Sequence, residues 1–79
     1  MSYVVTDRTI ERTREIAQAD VDNEVLEGVE QAPDDVWSLY DIEDIIYRVT
    51  GENYLNNNDE QEILHEYEIA YYDAWDEKE

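Results

Sequence analysis

The chain has 79 residues, no cysteine, and a net charge of −18 from 23 acids against five bases. That length makes one domain, residues 1–79, near the lower limit for a self-supporting core, and the missing cysteines exclude disulfides and thiolate metal sites. So large an acid excess excludes free DNA, free RNA or an anionic membrane as the main partner.

An acidic chain can be disordered, but 42% apolar content, with two Trp and seven Tyr, is enough to pack. Glycine and proline are scarce, which favours regular elements. No apolar run approaches the ~18 residues of a membrane span. The opening MSYVVTDRT lacks the basic and apolar regions of a signal peptide. A soluble intracellular protein is the expectation.

Taken in order, Thr6 or Asp7 can cap a first helix over Arg8–Ala19, with Ile10, Ile16 and Ala17 as its apolar marks. Arg8, Arg12 and Arg14 fall in it, so the first fourteen residues are near neutral and the remainder carries the charge. Asp20–Asn23 reads as a break or kink. Val21, Val25 and Val29 then recur every four residues, predicting a second short helix. Gln31–Asp35, around Pro33, reads as a connection.

Val36–Gly51 is the only stretch dense enough in large apolar residues to seed a core. On a helix capped by Ser38, with Asp41 at the capping-box position, Leu39, Ile42, Ile45, Ile46 and Val49 share one face. Trp37 and Ile42 sit where a hydrophobic staple would close. Asp44 and Arg48 pair on the outer side in the favourable order. Gly51 supplies the stop. After a loop anchored by Leu55, Asn58 and Gln61 suit a capping box, and the last helix runs to about Trp75. Its inner face is Ile63, Leu64, Tyr67, Ala70, Tyr71 and Ala74. Its outer stripe is Glu62, Glu66, Ile69, Asp73 and Asp76, flanked by Tyr72. The expected fold is therefore all-α, a small bundle of three or four helices. Tyr3–Val5 and Asn53–Leu55 have the composition to add a very short two-stranded ribbon.

Catalytic and metal chemistry find little footing. Glu62-x-x-His65 is a single E-x-x-H, whereas a di-iron bundle needs two and further glutamates. Asp20-x-Asp22-x-Glu24 begins like a calcium loop, but Val25 stands where its glycine belongs and Gln31 replaces the bidentate glutamate. Ser2 and Ser38 have no base partner in the pattern. No catalytic residue, metal ligand or cofactor is expected.

The charge itself is the functional signal. A duplex carries one negative charge per ~1.7 Å, so eighteen charges match about 30 Å of DNA. A compact chain of this length has a radius of gyration near ~12 Å and would span about the same distance. Ordinary surfaces mix both signs, whereas this chain has one lysine. Acids at helical spacing can meet the Lys and Arg side chains that normally meet phosphates. Ile69 and Tyr72, lying among them, would supply an apolar hot spot.

In composition, through Glu24, Glu27, Glu30, Asp34, Asp35, Asp41, Asp44, Glu62, Glu66, Asp73 and Asp76, the chain resembles phage-encoded DNA-mimic inhibitors. Within that class it is most similar to the small acidic anti-CRISPR proteins that act on type I effector complexes. The resemblance implies a stoichiometric inhibitor that occupies a basic, nucleic-acid-binding groove, in the cytoplasm of the bacterial host. The partner-binding residues expected are Glu24, Glu27, Glu30, Asp34, Asp35, Glu62, Glu66, Ile69, Tyr72, Asp73 and Asp76. Two other readings fit the same acidity: a halophile's soluble domain, and an acidic antitoxin or interaction subunit for one dedicated basic partner.

Overall fold

Thr6 ends its extended backbone by accepting the Thr9 N–H at 3.3 Å, and its own N–H donates to Thr9 Oγ1 at 3.2 Å. This reciprocal box opens α1, Asp7–Leu26. The computed structural model describes residues 4–78, which form two further helices, α2 (Ile42–Thr50) and α3 (Asn57–Glu77), and a single 3-10 turn at Val36–Ser38. The result is a compact all-α domain of three helices. No strand occurs among the described residues, so Val4–Val5 and Asn53–Leu55 form no ribbon; Tyr3 lies outside them.

The break expected at Asp20–Asn23 is absent, because α1 continues through it. Its buried stripe is Thr9, Thr13, Ala17, Asp20 and Val21, spaced three or four apart as one helix face requires. Val21 and Val25 belong to α1 itself and Val29 lies past its end, so the separate short helix expected there is absent. The stop is Gly28, at φ +97°, where Val29 N–H donates to Glu24 O at 2.9 Å and Gly28 N–H to Val25 O at 3.1 Å. That pair of bonds is a Schellman closure, and its left-handed residue suits glycine.

The central segment also divides differently. Asp35 accepts the Trp37 N–H and caps the 3-10 turn, while Asp41, rather than Ser38, caps α2 through the Glu43 N–H. Leu39 lies outside the helix and is 55% exposed, and Ile42 is 38% exposed. The face that packs is Ile45, Ile46 and Val49. Gly51, at φ +75°, ends α2 as expected. Asn56, two residues before the expected cap, closes the start of α3 by accepting the Asp59 N–H at 2.9 Å.

Side-chain pairs fix the helix directions. Arg14 meets Glu66, Asp20 meets Tyr67, Glu24 meets Tyr71, and Asp22 meets Lys78. Both helices therefore advance together, and α1 and α3 are parallel. Arg48 near the end of α2 reaches back to Asp20, and the Arg12 guanidinium donates to Arg48 O. Val36, ahead of α2, is held at Tyr72 late in α3, so the short α2 returns antiparallel along one side of the pair.

All six residues assigned to the inner face of α3 are buried, together with Trp75. They close on Ala17, Val21, Val36, Ile45, Ile46 and Val49. Tyr67 and Tyr71 are stacked at 5.9 Å, Trp37 lies 5.6 Å from Tyr67, and Tyr40 meets both tyrosines edge-on. The radius of gyration is 12.6 Å, but the molecule is elongated, 41 × 23 × 17 Å. Two helices of 20 and 21 residues set that length. No described helix is long and apolar enough to cross a membrane.

Candidate partner-binding surface

The outer stripe predicted on α3 is present. Glu62, Ile69, Asp73 and Asp76 are exposed, and Glu66 is half-buried. Steps of three and four residues place them on one side of the helix. Beside them, α1 and α3 enclose a shallow groove of about 290 Å³, lined by Arg14, Gln18, Glu66, Ile69, Ala70, Asp73, Ala74 and Glu77. No residue of α2 lines it. The Arg14–Glu66 ion pair, at 3.1 Å, joins the two helices within this lining, and Lys78, the C-cap of α3, pairs with Asp22 of α1 at 2.7 Å.

The second predicted cluster, Glu24–Asp35, contributes nothing to the groove lining. Its members also differ in availability. Glu24 accepts from the Tyr71 hydroxyl, and Asp35 is the cap of the 3-10 turn. Glu27, Glu30 and Asp34 are exposed and outside any ion pair among the described residues. Tyr72 is not an outward hot spot: it is half-buried, its hydroxyl donating to Pro33 O at 3.0 Å and accepting the Val36 N–H at 3.1 Å. It ties the α1–α2 connection to α3.

Arg14, Gln18 and Glu77 were absent from the predicted set. Glu77 continues the stripe by one step from Asp73 and was legible in the spacing. Arg14 and Gln18 are four apart on α1, but only the parallel packing of α1 on α3 brings them to this face.

Beneath the surface lies a polar network the sequence did not announce. Asp20, 5% exposed, receives Arg48 Nη2 on Oδ1 at 2.7 Å and Arg48 Nη1 on Oδ2 at 3.1 Å. Tyr67 Oη donates to the same Oδ2. Asp44, the expected partner of Arg48, pairs with it as well, at 3.9 Å on the outer side. Burial drives the Tyr67 hydroxyl well above the ordinary tyrosine range, and its bond to Asp20 adds to this. Tyr71 is raised by burial and then by Glu24; Tyr40 by burial and then by the charges of Asp20 and Glu24. Arg48 is held more firmly protonated, chiefly by its bond to Asp20. These groups brace the three helices.

A wider recess of about 430 Å³ lies along α1, lined by Arg8, Glu11, Arg12 and Glu15. It carries mixed charge and no nucleophile. Among the described residues no cluster of His, Asp and Glu converges as metal ligands. Glu62 and His65 of the E-x-x-H are both exposed.

Ion pairs engage only Asp20, Asp22, Asp44 and Glu66 among the described residues. Leaving Glu79 aside, the described residues carry a net charge of −17 along the 41 Å axis, one per about 2.4 Å. That is about seven-tenths of the duplex density of one per ~1.7 Å. The expected equality does not hold, because the domain is longer than a sphere of its mass. Comparison with protein-family models, with curated proteins and with solved structures returned no match.

Proposed function

We propose that this domain is a stoichiometric protein inhibitor, not an enzyme, that presents carboxylates where nucleic acid would present phosphates. It occupies a basic, nucleic-acid-binding groove of its target. The observation that carries this reading is the uncompensated charge: among the described residues most carboxylates lie outside any ion pair, and most stand on helices that fix their spacing. Fixed positions lower the ordering cost of binding. Charge complementarity of this kind speeds encounter and selects partners. The compositional resemblance makes a type I CRISPR effector complex the first target to test.

The test begins with a melting curve at about 0.15 M salt, where charges are screened beyond ~8 Å. A gel-shift titration of a purified type I effector with its target DNA follows. The domain is folded at that salt and displaces the DNA, and the displacement weakens as salt rises. If the shifted band persists at large molar excess, the target is wrong. If the chain folds only in molar salt, its acids serve halophilic solubility and the mimic reading falls. Binding to a basic protein that DNA does not compete for assigns it instead as an antitoxin-like subunit.

A further inference from the structure

We infer that the groove between α1 and α3 receives one basic amphipathic helix of the partner protein. The inference rests on reading the domain as a ligand for a basic protein, and it adds which face is used and what element enters it. Two long parallel helices form a surface with two sides. The nine-residue α2 covers one side; the other is open and lined by α1 and α3 alone. Its floor is Ala70 and Ala74, small residues that admit a close approach, with Ile69 standing 45% exposed beside them.

The rim is acidic. Glu66, Asp73 and Glu77 line the groove. The one cation lining the groove, Arg14, is 57% exposed at its side chain, and Lys78 at the end of α3 is 43% exposed. Surface pairs of that kind contribute little, so a partner's Lys or Arg can exchange with them at little cost. A second copy of this chain would bring acids against acids. Nucleic acid is repelled for the same reason. An extended segment has no sheet edge to join among the described residues. A helix needs only side-chain contacts, apolar anchors three and four residues apart and basic residues between them. At about 290 Å³ the groove is also at the small end for an organic ligand.

The probe is a synthetic peptide with leucines at helical spacing and lysines elsewhere, compared with a scrambled isomer of the same composition. Titrated into isotope-labelled domain, the patterned peptide shifts the amide resonances of Gln18, Ile69, Ala70, Asp73, Ala74 and Glu77 and saturates at one equivalent. The scrambled isomer binds about tenfold more weakly. Ile69→Asn, checked for folding by circular dichroism, weakens the patterned peptide about tenfold and leaves the scrambled one unchanged. Val29→Asn, at an exposed site outside the groove, changes neither. Equal binding of both peptides, shifts centred on residues 27–36, or undiminished binding by folded Ile69→Asn overturns the groove. Should Ile69→Asn fail to fold, the resonance map of the wild-type domain decides alone. The DNA-displacement assay is independent of this map, so the mimic reading and the groove can fail separately.

Discussion

Tyr67 Oη donates to Asp20 Oδ2 at 2.5 Å, joining α3 to α1 through residues 47 positions apart. Arg48 completes the site from α2 with two bonds to the same carboxylate. One buried acid therefore holds all three helices. Removing a partner from a buried pair leaves an uncompensated charge, costing ~3–5 kcal/mol. Because the Arg48 side chain is 34% exposed, we expect Asp20→Ala to destabilise by about 3 kcal/mol, the lower end of that range. The triple variant Asp20→Leu, Arg48→Met, Tyr67→Phe should recover most of the loss, since it removes every member together. Urea unfolding of the single and triple variants checks both; a single variant as stable as wild type would show the network to be dispensable.

Alkaline pH should destabilise the domain through its buried tyrosines. Tyr40, Tyr67 and Tyr71 are held neutral by burial first and by Asp20 and Glu24 next. Their folded values lie above the unfolded value near ~10. The stabilisation is therefore complete below pH ~10 and is lost as pH rises through that value toward the folded ones. Urea midpoints across this range should fall with pH. The fall should be shallower in Tyr67→Phe/Tyr71→Phe, which has fewer buried hydroxyls to ionise. A flat wild-type profile contradicts the prediction.

Ile46→Asp should abolish the cooperative melt, because Ile46 is 2% exposed in a domain with few kcal/mol to spare. Leu39→Asp, at a position 55% exposed, should shift the midpoint by no more than a few degrees. Circular dichroism melts of the two variants test the register of α2 directly. Equal damage from both would mean the helix begins at Ser38 after all.

Tyr72→Phe removes one donor and one acceptor that tie the connection before α2 to α3. The expected cost is about 1–2 kcal/mol, with the effect concentrated locally. Hydrogen exchange should show the Val36 amide losing protection while Ile63–Tyr67 amides in α3 keep theirs. Protection at Val36 equal to wild type would mean another group holds the loop.

Much of the fold was legible in the chain itself. The 3.6-residue spacing of Ile63, Leu64, Tyr67, Ala70, Tyr71 and Ala74 defined the buried face of α3, and Gly51 marked the end of α2, because local geometry dictates both. The charge excess is likewise a property of sequence alone. The start of α1, capped by Thr6, was legible; its continuation past Ala19 was not. Its inner face is Thr9, Thr13, Ala17, Asp20 and Val21, mostly small or polar residues that leave little apolar periodicity to read. Asp20 looked like a helix breaker because its partners, Arg48 and Tyr67, are distant in sequence. Burial of a carboxylate is tolerable only where such partners converge, and convergence is set by packing. Tyr72 likewise reads as exposed until the connection folds over it. The exposed stripe of α3 follows from one helix's periodicity, whereas the groove beside it depends on α1 lying parallel to α3. No spacing within a single helix encodes that direction; the shared buried core, closed by α2, decides it.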